Sequence, residues 1–273
     1  MLIHLLSIAD NQFLLSVGKL LLAPTLIGLV SLAGRRWGPA VSGWLVSLPL
    51  TSAPVILVLA IDQGTAFASN AAQDTLLGVL SMVSFCLVYC WFSLRFSWFG
   101  SMLAGWTAYF ALTAFLERLS LPLLLSFVVV IAYIAIVLTI MPGSQNKGKG
   151  ITLNPPPWDT PLRMLVATAF VLGLTGAATI LGPRLSGLLA PFPMFTTILA
   201  VFTHHFQGAG AARRLLRGVI TGTVTFVVFF LVIGTLLDRW GIAAASGLAI
   251  LAAMVTHTTS LILMNHFHNN RLG

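Results

Sequence analysis

Acidic residues are scarce in this chain. Its 273 residues hold six Asp and Glu against 14 Lys and Arg, and charged residues of both signs make up only 7%. Soluble domains carry about a quarter charged residues, so this chain cannot cover itself with a soluble surface. Only two cysteines are present, Cys86 and Cys90, which excludes a disulfide-dense scaffold and a four-cysteine zinc site. Four apart in an apolar run, they read as small core residues. Phosphate-binding glycine loops, nucleophile elbows and metalloprotease helix motifs are missing as well. The reading therefore expects no enzyme and no cofactor.

Apolar residues are abundant instead. They make up 58% of the chain, in runs long enough to cross lipid. Inside a bilayer every unpaired backbone group is costly, so open sheets are excluded and the fold must be helical. A barrel would show short alternating segments. Apolar runs bounded by charge, Gly or Pro predict about nine spans. They lie near 12–33, 39–61, 74–93, 98–116, 120–141, 160–181, 184–205, 214–237 and 241–265. Met1 to Asn11 carries no Lys or Arg and no small-residue cleavage site, so the first span is expected to be retained rather than cleaved as a signal peptide. The clear linker runs from Pro142 to Asp159; it is polar and Gly-rich, then Pro-rich, and is expected to be flexible, then extended.

The chain also repeats itself. Gly38-Pro39, Ser42-Gly43, Leu45, Pro49, Gln63-Gly64, Ala68, Gly78 and Arg95 recur as Gly182-Pro183, Ser186-Gly187, Leu189, Pro193, Gln207-Gly208, Ala212, Gly222 and Arg239. Every pair has the same separation, 182 − 38 = 144, without a gap. Five predicted spans fill one period, and an odd number turns the second copy over in the membrane. The expected fold is therefore an all-α polytopic membrane protein with two inverted-topology repeats of four helices. Repeat one covers 1–118, a connecting fifth span and linker 119–159, and repeat two 160–273.

Charge orients the chain. With the N-terminus outside, the inner loops hold Arg35, Arg36, Arg95, Lys147, Lys149, Arg163, Arg213, Arg214, Arg217 and Arg271, and the outer loops only Arg118, Arg184 and Arg239. That imbalance follows the positive-inside rule and predicts an inner (plasma) membrane protein with a cytoplasmic C-terminus. It accounts for most of the +8 net charge without nucleic acid. The expected partners are the bilayer, a small solute and, as an option, a second copy of the chain.

Chemistry is expected where the copies are most alike. Proline just inside a helix start is favourable, as in Gly38-Pro39 and Gly182-Pro183. About ten residues on, near mid-bilayer, each copy meets a proline pair, Pro49 and Pro54 in one and Pro191 and Pro193 in the other. Two prolines so close unwind a helix turn, and the freed carbonyls must face protein, water or a ligand. Ser47, Thr51 and Ser52, with Thr196 and Thr197, supply hydroxyls beside these breaks. The alternative is that prolines and Ser42-Gly43 serve only packing.

Ionisable groups add candidates for charge recruitment and coupling. No carboxylate falls at the centre of a predicted span, and Asp62 and Asp74 lie at span ends, which argues against a relay of intramembrane acids. Lys19 and Arg163 occupy matched places (163 − 19 = 144) and read either as cations recruiting an anion at the two mouths or as snorkelling side chains. His257 lies within the ninth span and can titrate near neutral pH in place of a carboxylate. His204, His205, His266 and His268 end their spans at the inner face and read as interfacial anchors or as metal ligands. Gln63-Gly64 and Gln207-Gly208 read as helix stops, glycine taking the left-handed conformation.

Through Gly38-Pro39 to Pro54 and Gly182-Pro183 to Thr197, the chain resembles the inverted-repeat secondary transporters built around discontinuous helices. The resemblance implies alternating access around a central site. It leaves the coupling open, since mid-span carboxylates are missing. Two other readings compete: an intramembrane metal or redox protein using His204, His205 and His257, and a non-catalytic membrane assembly factor.

Overall fold

The computed structural model describes residues 24–49, 52–119, 121–143, 156, 158–169 and 192–269. All regular structure among them is helical: α1 24–37, α2 Pro39–Val46, α3 Ser52–Asp62, α4 Thr65–Phe92, α5 Trp98–Leu116, α6 Leu123–Ile140, α7 159–169, α8 Met194–Gln207 and α9 Ala209–Asn269. Four of these, α4, α5, α6 and α9, are long and apolar enough to cross a membrane. The chain is thus a helical membrane protein. Gly241, at φ 75 and ψ 175, divides α9 into two helices.

Glycine sets several of these boundaries. Gly64 adopts φ 92 and ψ 161, and Gly208 φ 84 and ψ 167. The sequence suggested the left-handed helical region for both, whereas the backbone lies in an extended region open essentially to glycine alone. Each glycine closes one helix and opens the next. Its carbonyl accepts the N–H four residues on, Ala68 from Gly64 and Ala212 from Gly208, both at 3.2 Å.

Two predicted boundaries move for this reason. The third span was expected from residue 74, but α4 begins at Thr65, so Asp74 lies nine residues inside the helix (74 − 65 = 9) rather than at its end. The eighth was expected from 214, but α9 begins at Ala209. Apolarity marks where lipid starts, while the helix starts at the glycine. Asp159, expected at the end of an extended linker, instead opens α7 and is buried.

The core forms around α4 and the first half of α9. These two run antiparallel, because Thr65 Oγ1 donates to Asp238 at 3.0 Å and Ser69 Oγ to the Gly234 carbonyl at 2.7 Å. At the other end, Arg213 donates to Ser93 Oγ at 3.3 Å. The interior carries Leu76, Val83, Phe85, Leu216, Ile220 and Phe230, all inaccessible or nearly so. α2 crosses the first half of α9 with backbones in contact. A Cβ on Gly43 would overlap the Leu215 carbonyl, and one on Gly218 the Ala40 carbonyl. Close approach through small residues is how helices associate in lipid, where apolar side chains gain little from leaving the solvent.

The outer faces are apolar. Phe110, Leu124, Val128, Ile136, Leu251 and Met254 point outward from α5, α6 and the second half of α9, as lipid contact requires. Trp37, Trp158 and Trp240 are exposed at helix ends, the depth where indoles favour the headgroup boundary. Arginines gather at one end of the bundle. Arg35 bonds Asp159 at the start of α7, Arg213 bonds Ser93 at the end of α4, and Arg217 donates to the Leu138 carbonyl of α6 at 3.0 Å.

Candidate functional site

The site grows from an interruption. α2 stops at Val46, where Ser47 N–H and Leu48 N–H bond carbonyls only three residues back, Trp44 at 3.4 Å and Leu45 at 3.3 Å. Ser47 Oγ also donates to the Trp44 carbonyl at 2.6 Å. α3 starts afresh at Ser52, and the Pro49 carbonyl accepts Ala53 N–H at 2.9 Å. Proline has no N–H and clashes with the preceding turn, so it suits the entrance of the second helix and not the interior of one continuous helix.

The second copy begins a helix in the same way. Thr197 N–H donates to the Pro193 carbonyl at 2.7 Å, and α8 runs from Met194. Thr197 and Ala53 are 144 apart (197 − 53 = 144), as are the two prolines that hold them. Both prolines are buried. Leu45, Val46 and Leu48 around the end of α2 and Phe195 from the start of α8 line one small apolar recess, closed by Leu26, Ile27 and Val30 of α1.

Hydroxyls and aromatic rings border the start of α8. Thr196 and Thr197 are each 5% exposed. Trp106 Nε1 of α5 donates to Thr197 Oγ1 at 3.2 Å. Trp106 and Tyr109 pack around Phe192, with centroids 6.0 and 5.3 Å away.

The other expected residues divide into several groups. Ser47 caps α2 and faces Gly222, and Ser52 opens α3, half-buried. Lys19, Thr51 and Pro191 lie outside the described residues, as do the side chains of Pro54, Asp62, His266 and His268. Arg163 is a buried, paired cation. Its Nε stands 3.0 Å from both oxygens of Asp159, and its guanidinium lies 5.1 Å from the Phe202 ring centre. Arg35 reaches the same carboxylate at 3.4 Å. Ser31, Thr203 and Gln207 line a polar recess beside these charges, which gives the repeated glutamine a location at the arginine-rich end.

The histidines face separate aromatic partners. His204 Nδ1 is 3.2 Å from Tyr89 Oη, and His205 lies edge-on to Trp98. His257 stacks on Trp44 with ring centres 3.6 Å apart and planes at 12°. Its Nδ1 is 3.1 Å from Thr225 Oγ1, and Trp44 Nε1 donates to Ser260 Oγ at 2.8 Å. Among the described residues, no group of three or more His, Cys, Asp or Glu is arranged to hold a metal ion.

Sequence reasoning missed Asp159, Trp44, Thr225, Ser260 and Trp106. Only Asp159 left a trace, standing four residues before Arg163, one helical turn away. No protein-family profile, curated protein or solved structure matches the chain significantly.

Proposed function

We propose that this protein is a membrane carrier working by alternating access, with a small anionic or neutral organic solute bound at mid-membrane between two interrupted helices. One observation carries the reading. Pro49 and Pro193 each begin a helix at matched positions, with the N–H four residues on bonded to their carbonyls, while the core helices that follow, α4 and the first half of α9, run in opposite directions. Two inverted units of four spans joined by an unpaired fifth produce that relationship, and broken helices at the interface of inverted repeats form transporter sites. The arginine-rich end is the cytoplasmic one on the positive-inside rule, giving an outer N-terminus in an inner membrane.

The solute binds beside Ser47, Pro49, Thr51, Ser52 and Pro54 of the first break and Pro191, Pro193, Thr196 and Thr197 of the second. Helix starts there aim N–H groups and positive dipole ends inward, which suits a carboxylate or another anionic group.

A thermal-shift screen of small metabolites on the purified protein tests this. A solute at about 100 times its Kd stabilises the folded form by about 2.7 kcal/mol. Ser52→Leu and Thr196→Leu should abolish that shift, and transport with it, while the unliganded protein still inserts and folds. A ligand shift that persists undiminished in both variants would remove the site.

A further inference from the structure

His257 is held where it can act on the first break. Its partner Thr225 lies sixteen residues into α9 (225 − 209 = 16), near the middle of that helix's first half. The residue is only 8% exposed, and its second ring nitrogen, Nε2, is buried without a hydrogen-bond partner among the described residues. Leaving a buried ring nitrogen unpaired is costly, so the arrangement implies something that binds there. The ring lies flat on Trp44, whose indole is fixed by Ser260 and whose carbonyl holds the Ser47 hydroxyl. Ser47 is the residue that caps the end of α2. One side chain therefore separates His257 from the interruption.

We infer that His257 is the proton-binding residue of the carrier, and that Trp44 transmits its change of charge to the break. The inference rests on the carrier reading. A neutral imidazole on an indole is a simple stack, whereas an imidazolium over the same face gains cation–π attraction, more so away from water. The charged ring carries two N–H groups. Nδ1–H donates to Thr225 Oγ1, and Nε2–H then needs an acceptor, which an anionic solute supplies. Proton and anion enter together with no net charge, and each strengthens the binding of the other. The proton comes from water on one side and returns to water on the other, with no covalent bond changed.

Among the described residues, the groups bonded to or stacked on the ring and its turn carry no charge: Trp44 of α2, Thr225 of the first half of α9 and Ser260 of the ring's own helix. Along the first half of α9 toward the arginine-rich end, the nearest charge is Arg217, eight residues from Thr225 (225 − 217 = 8), and it donates to the Leu138 carbonyl. A histidine so placed does the work that intramembrane carboxylates do elsewhere.

Nitrogen NMR of the full chain in lipid nanodiscs tests this between about pH 4 and pH 8, where histidine titrates. His257→Gln identifies the ring signals and Trp44→Phe the indole signal. The expected result is one midpoint for the His257 ring, with the Trp44 N–H shift following it. In Trp44→Phe the midpoint should fall by about half a pH unit, roughly a threefold loss of proton affinity. A ring that stays neutral throughout, or that titrates while the indole signal stays still, overturns the inference. His257→Asn and Trp44→Tyr identify the same signals where either first variant misfolds, and the wild-type titration decides the outcome. The carrier reading fails on different grounds, in the ligand screen with Ser52→Leu and Thr196→Leu.

Discussion

Arg163 Nε stands 3.0 Å from each carboxylate oxygen of Asp159, with 4% and 1% of the two side chains exposed. The pair joins α7 to α1 through Arg35 and to α8 through Phe202, so it fastens three elements at the arginine-rich end. Removing one partner leaves a buried charge uncompensated, which costs about 3–5 kcal/mol. Asp159→Ala should lower the melting temperature of the purified protein sharply. The double variant Asp159→Leu with Arg163→Met, apolar and similar in volume, should recover most of that loss. Equal melting of wild type and Asp159→Ala would show that the pair holds nothing together.

The crossing of α2 over α9 gives a steric prediction. Gly43 meets the Leu215 carbonyl with no room for a methyl group, whereas Gly247 has nothing within 4 Å of the same position. Gly43→Ala must push the backbones of α2 and α9 apart and should cost about 1–3 kcal/mol or more. Gly247→Ala, in the exposed interior of a helix, should leave stability unchanged or raise it by up to about 1 kcal/mol. Thermal unfolding of the two variants side by side measures the difference. Its sign would reverse if α2 packed elsewhere.

Much of this bundle was legible in the sequence, for identifiable reasons. Gly-Pro at 38–39, Gln-Gly at 63–64 and 207–208, and the apolar run of 98–116 mark helix ends because glycine and proline act on their own backbone. The limits of α5, Trp98 and Leu116, coincide with the predicted span. The first break was legible at Pro49, where the structure interrupts the helix, whereas Pro54, expected to share the unwound turn, lies in the first turn of α3. The partners were not. Trp44 and His257 are separated by 213 residues (257 − 44 = 213), and both lie in helices apolar on all sides. With no polar stripe to mark the outer face, periodicity cannot say which side is buried. Asp159 escaped because a carboxylate after three prolines reads as part of a linker, and only the fold shows that Arg163 awaits it one turn later.

Gly64 and Gly208 give a test of the repeat that needs no substrate. They share an extended glycine conformation and the same N–H to carbonyl bond, and they sit at opposite ends of the antiparallel core. An Ala at either site is strained whatever the space around it, by about 1–3 kcal/mol. Gly64→Ala and Gly208→Ala should therefore destabilise by similar amounts, and the double variant by their sum, because the sites share no partner. Widely unequal effects would mean that the two boundaries do different structural work.

Accessibility of the first break offers a direct measure of the proposed motion. Cys86 and Cys90 are both fully buried in α4, so the native protein should resist a membrane-impermeant maleimide and react only after denaturation. With both replaced by Ala, Ser52→Cys becomes the sole thiol, standing at the start of α3 beside the Pro49 carbonyl bond. In a carrier that exposes its centre to each side in turn, reagent added to either face of sealed vesicles of known orientation should reach Cys at position 52. A solute that occupies the centre should slow both reactions. A fixed cleft would label from one face alone, and a purely structural break from neither. Labelling rates from the two faces therefore separate a moving site from a static one before any solute is known.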